Sequence, residues 1–170
     1  VVFLPESGKL DQMARRVNRL TRGALERFAE SDTFGKLKDG DARLLAFPAG
    51  MKAEGVHVVR LDRRVSGCAA RKAGASIGKA GRGKNILILS GNLKGTSDIL
   101  IGALLGSYGF ERHRTGNEGV EIKPGRITVM TDGPDGLDAE LPRIRAMADG
   151  VWFARDLVNE PSNVLTTTEF

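Results

Sequence analysis

A single cysteine, Cys68, stands in the 170 residues, with one tryptophan, one tyrosine and two histidines. One thiol excludes an internal disulfide and fits a reduced, cytoplasmic setting. His57 and His113 have no partner at metal-ligand or triad spacing, so no histidine-based metal or nucleophile arrangement can be read here. Long apolar runs are absent too. The stretch Ile99 to Leu105 falls well short of the roughly 20 residues that span a bilayer. No signal-peptide pattern is visible, and the opening Val1-Val2-Phe3-Leu4 reads as a strand without its lead-in. Between Arg63 and Lys84 both acids and aromatics are missing. The lack of aromatics argues against base stacking on single strands. The lack of acids leaves Arg63, Arg64, Arg71, Lys72, Lys79, Arg82 and Lys84 as a basic block in a chain of net charge +5. Such a block reads either as a solvated face and loop or as a contact surface for anions or nucleic acid.

What is present is a chain long enough for a real core, rich in glycine, with strands and helices in alternation. Val1 to Leu4, Ala42 to Phe47, Val56 to Leu61, Ile86 to Leu89 and Ile127 to Met130 read as strands. Leu10, Met13, Ala14, Val17, Leu20, Ala24, Leu25 and Phe28 recur at helical spacing, which predicts one helix over Lys9 to Glu30. Ser31 to Gly40 reads as a loop. Gly67 to Ala80 and about Ser97 to Tyr108 read as helices, with Gly74 and Gly78 weakening the first. A turn at Asp132 to Gly136 leads to a final helix over about Asp138 to Val158. This alternation predicts an α/β domain of three layers. The sheet is mixed and mostly parallel, with helices on both faces.

Two glycine-rich stretches invite a phosphate-binding reading. Gly78-Lys79-Ala80-Gly81-Arg82-Gly83-Lys84-Asn85 has P-loop spacing, but Asn85 replaces the magnesium-binding hydroxyl. It also follows a helix and enters a strand, the reverse of the order that aims helix amides at phosphate. Gly91-Asn92-Leu93-Lys94-Gly95-Thr96 has the right order, strand to turn to helix. It reads as an anion-holding loop or simply as a tight turn. Asp132, Asp135 and Asp138 lack the glutamate that a calcium loop requires.

The closing residues carry the most specific signal. A helix runs into Asn159-Glu160-Pro161-Ser162-Asn163, Pro161 biases Glu160 away from helical angles, and Thr166 to Glu169 read as the cap of a further helix. Arg155-Asp156-Leu157-Val158-Asn159-Glu160-Pro161-Ser162-Asn163-Val164-Leu165-Thr166 resembles the inter-domain junction of the leucyl (cytosol) aminopeptidases. Gly102-Ala103-Leu104-Leu105-Gly106-Ser107-Tyr108-Gly109-Phe110-Glu111-Arg112 is similar to the same family's glycine-leucine-serine-tyrosine helix. Thr167 departs from the proline expected there. The resemblance implies a macro-domain-like fold, with residues 1–136 as a non-catalytic N-terminal domain, 137–159 as a connector helix and 160–170 as the start of a truncated catalytic domain. The tail from about Asn159 is then expected to be disordered or packed only adventitiously. By the same resemblance the parent is a cytoplasmic, hexameric metallo-aminopeptidase using two divalent ions, zinc, manganese or similar. The family's Asn-Thr-Asp-Ala-Glu-Gly-Arg signature is absent, so no catalytic, cofactor or metal residue is assigned, and the chain alone is expected to be inactive. Its partners are expected to be its own catalytic domain and further copies. Some members of the family bind DNA, and macro-domain relatives bind ADP-ribose, so a binding module through the basic block or the glycine loop is the alternative.

Overall fold

In a computed structural model, residues 1–111 and 125–161 are described. Strand β1 (Val2–Leu4) lies at the centre of a five-stranded sheet of order β2-β3-β1-β4-β5, formed with β2 (Ala42–Ala46), β3 (Gly55–Arg60), β4 (Ile86–Gly91) and β5 (Ile127–Thr131). All neighbouring pairs are parallel except β2 with β3, a hairpin closed by the Phe47 amide donating to the Glu54 carbonyl at 2.8 Å. This is the mixed, mostly parallel sheet that the alternation predicts.

The twofold period of the strands divides the core into two layers. Val2, Leu4, Val56 and Val58 point to one face, where they pack with Ala14, Val17, Leu25 and Phe34 of helices α1 (Gln12–Leu20), α2 (Ala24–Ala29) and α3 (Asp32–Gly35). Phe3, Val59 and Ile88 point to the other face. They meet Ala73 and Ile77 of α4 (Gly67–Ala80), Ile99 of α5 (Thr96–Gly106) and Ile144 of α6 (Pro134–Asn159).

The single helix expected over Lys9 to Glu30 is three pieces, and the reason is local. Asp11 caps α1 by accepting from the Ala14 amide at 2.8 Å, so the helix starts later than its apolar stripe. It ends in a Schellman turn: the Gly23 amide donates to Asn18 O at 2.8 Å and the Arg22 amide to Arg19 O at 3.2 Å. The left-handed residue is Arg22, at φ 52°, with Gly23 beside it at φ 80°. The expected loop after Glu30 likewise holds α3, capped by Ser31 through the Phe34 amide.

Helix α4 has the expected bounds, and its glycines are why it packs as it does. Gly74 and Gly78 face Ile99 and Ala103 of α5, while Gly102 and Gly106 face Arg71 and Ala75 of α4. A Cβ on Gly78 would lie 2.8 Å from Ala103 C and 2.9 Å from the Ser107 nitrogen, and still nearer Ala103 O. The two backbones are in contact with no room for a methyl. Helix α6 starts inside the expected Asp132 to Gly136 turn, because Pro134 sits in its first turn, where a missing amide costs nothing. It has 26 residues and is about 39 Å long, with only Ile144 and Ala148 fully buried.

Candidate functional site

The loop leaving β1 turns to α1 on one face of the sheet, whereas the loops leaving β3 and β4 turn to α4 and α5 on the other. Such a reversal opens a crevice at the carboxyl ends of parallel strands, where α/β folds bind ligands. A cleft of about 570 Å³ lies there. Phe3, Leu10 and Leu93 line its apolar side, and Lys9, Arg15 and Arg63 bring three cations to it. Its two acids have structural work: Asp11 caps α1, and Asp62 accepts from the Glu6 amide at 3.4 Å. Ser90, in the cleft wall, donates to Met130 O at 3.1 Å.

The Gly91 to Thr96 loop forms one rim. Gly91 has φ 51° and Gly95 has φ 91°, so both occupy the left-handed region that glycine tolerates. Gly95 precedes α5 with no side-chain cap, and the Lys94 amide donates to Arg63 O at 3.1 Å. The loop therefore joins the first residues of the basic block to the start of α5.

The rest of the basic block is drawn out along α4. Arg63 and Arg64 precede the helix at the carboxyl end of the sheet, and Arg82 and Lys84 follow it at the opposite end. The 14-residue helix separates them by about 20 Å. Among the described residues four of the seven hold carboxylates: Arg71 with Asp98 at 2.8 Å, Lys72 with Asp41 at 3.0 Å, Arg82 with Glu111 at 3.1 Å and Lys84 with Glu54 at 2.6 Å. Lys79 is exposed near the end of α4. Lys9 and Arg15, which face the cleft beside Arg63, were not in the block because they lie some 50 residues earlier in the chain. The P-loop-like stretch runs from α4 into β4, with Lys84 on Glu54 and Asn85 Oδ1 accepting from the Arg126 amide at 3.1 Å.

Histidine 57 is half-buried in β3. Burial, then the positive charge of the chain's N-terminus and of Lys84, lowers its pKa from 6.5. His113 and residues 162–170 lie outside the described residues. Cys68 is exposed. Among the described residues no group of three or more His, Cys, Asp or Glu comes together to hold a metal ion. Nor is any described helix long and apolar enough to cross a membrane.

The two segments that resemble the aminopeptidase family meet in space. Tyr108, after α5, donates its hydroxyl to Asp156 Oδ1 at 2.7 Å, and Arg155 lies over its ring at 3.9 Å. No protein-family model matches the chain. Curated relatives match it over essentially its whole length. A probable cytosol aminopeptidase of Cereibacter sphaeroides is 46% identical over 170 residues, and one of Dinoroseobacter shibae is 44% identical over 169. The chain is homologous to the N-terminal part of the cytosol aminopeptidases. It spans 34% of the length of each of these two cytosol aminopeptidases. A solved structure of a tomato leucine aminopeptidase mutant shares the fold, with a TM-score of 0.72 at 18% identity, covering 99% of this chain and 37% of that one. The junction and glycine-leucine-serine-tyrosine segments were thus sound guides to the cytosol aminopeptidases.

Proposed function

We propose that the chain is the non-catalytic N-terminal domain of a metal-dependent leucyl aminopeptidase. Residues 1–136 form its body, 137–159 the connector helix, and 160–170 lead into the catalytic domain. The observation that carries this reading is the match over the whole chain to cytosol aminopeptidases of which it spans only a third. No catalytic step is assigned to this chain. In the parent, a pair of divalent ions (zinc, manganese or similar) polarises the scissile carbonyl and supplies an activated water. The domain's role is assembly, with a hexamer as the proposed state, and control of access to the catalytic domain. The setting is the cytoplasm. The test is hydrolysis of leucine amide by the intact parent protein with manganese or zinc. Metal-dependent release of leucine is expected, and no turnover with either ion would overturn the reading.

A second reading, a binding module for ADP-ribose or another anionic ligand, is favoured by the cleft where Lys9, Arg15 and Arg63 converge. Calorimetry with ADP-ribose tests it. Heat of binding that disappears in Lys9→Ala/Arg63→Ala supports it, and silence at millimolar ligand ends it.

A further inference from the structure

The last fully buried residue of helix α6 is Ala148, and beyond it Trp152, Asp156 and Leu157 are partly buried. The 11 residues that follow extend about 16 Å further. Val151, Phe153 and Val158 on this stretch are 42%, 66% and 84% exposed. No residue on it is fully buried, yet its last turn is tied down by polar contacts, most of them to one residue just past the end of α5.

That residue is Tyr108. Its hydroxyl donates to Asp156 Oδ1 at 2.7 Å and accepts from Asn159 Nδ2 at 3.1 Å, so both capacities of the phenol are used on one turn of α6. Arg155, on the same turn, covers the ring at 3.9 Å and donates through Nη1 to the Leu105 carbonyl at 3.4 Å. That carbonyl belongs to the last turn of α5, where helix carbonyls lack partners of their own and a cation is favourable. A ring, a carboxylate, an amide and a guanidinium thus close one unit across a sequence separation of about 50 residues. A hydrogen bond to a carboxylate is among the stronger neutral-donor contacts, and a phenylalanine would keep the ring while losing both hydroxyl bonds.

We propose that Tyr108 is a positioning residue. It latches the last turn of α6 to the end of α5 and so fixes the direction in which the chain leaves the domain at Glu160-Pro161. The latch holds whether or not the parent is a peptidase, since it rests only on contacts within this chain. Where the parent is one, the latch sets how the following domain is presented to this body.

Hydrogen exchange on this chain, with Tyr108→Phe, Asp156→Ala and the double variant, tests the latch. Either single change should speed exchange of the amides at 153–160 about tenfold and leave α4 and β4 at wild-type rates. The double variant should match Tyr108→Phe, because that change already removes the bond that Asp156→Ala removes. Unchanged rates at 153–160, a uniform rise through the whole domain, or additive effects would each overturn the proposal. A second readout reports direction rather than stability. Spin labels on Cys68, which is exposed, and on Val158→Cys should give one narrow distance distribution in the otherwise unaltered chain. Adding Tyr108→Phe should broaden it, and equal widths would sink the latch.

Discussion

Replacing Gly78 by alanine puts a methyl into backbone rather than into a flexible side chain. The new Cβ would stand 2.8 Å from Ala103 C and 2.9 Å from the Ser107 nitrogen, against an optimum of about 3.5–4.0 Å for such contacts. Ala103 O would stand nearer still, so helix α5 must move away by more than about 1 Å. It cannot do so alone, because Ala73, Ile77, Ile99 and Leu100 pack in the same layer. Alanine favours a helix interior over glycine by about 1 kcal/mol, whereas overpacking a filled core costs about 1–3 kcal/mol and more where backbone must shift. The steric term wins, and the expected net loss is about 2 kcal/mol. Gly102→Ala, aimed at Arg71, should behave alike. The control is Gly150→Ala in α6, where nothing lies within 4 Å of the added carbon. There only the propensity term acts, and stability should rise by about 0.5–1 kcal/mol. Urea unfolding of the three variants reads both signs from the midpoints. A Gly78→Ala protein as stable as the parent chain would refute close backbone packing of α4 on α5.

Arg60 holds Glu6 at 2.5 Å and Asp39 at 3.6 Å, and donates to the Leu37 carbonyl with its side chain 12% exposed. Arg60→Met should cost about 2 kcal/mol in urea unfolding, since the acids regain water while the Leu37 carbonyl loses its charged donor. His57 has a lowered pKa in the fold, so its contribution is present above its unfolded value and is lost as pH falls through the folded one. The urea midpoint should therefore decline from neutral pH toward pH 5, and His57→Gln should flatten that slope. Tyr108 is shifted the other way, raised above 10 by burial and then by its bond to Asp156. Its contribution is present below the unfolded value and is lost as pH rises through the folded one. Emission from Trp152, one turn before Asp156, should change in that alkaline range and should not do so in Tyr108→Phe. In gel shifts, any DNA binding by the chain should fall steeply with salt, and no shift at low salt excludes the basic block as a DNA surface.

The sheet was legible because its strands are apolar and β-branched and its helices fall between them. Val56-His57-Val58-Val59 and Ile86-Leu87-Ile88-Leu89 carry their own signal, and the twofold split of Val58 from Val59 follows from strand geometry alone. The break at Arg22 was hidden because an arginine, not the adjacent glycine, takes the first left-handed position, and the apolar stripe continues past it into α2. Gly74 and Gly78 read as helix weaknesses, since propensity sees one helix and not the neighbour pressed against it. The cleft was only half visible. Its Gly91 to Gly95 rim has a local pattern, but Lys9, Arg15 and Arg63 converge only through the sheet order. The meeting of Tyr108 with Asp156 likewise has no local signal, although both lie in the segments whose resemblance pointed to the family.

Leucine amide turnover, measured side by side for this chain and for the intact parent with manganese, tests the central claim most directly. The account predicts metal-dependent hydrolysis by the intact parent and none by the 170-residue chain at any concentration. Turnover by the chain alone that follows the protein through purification would contradict it.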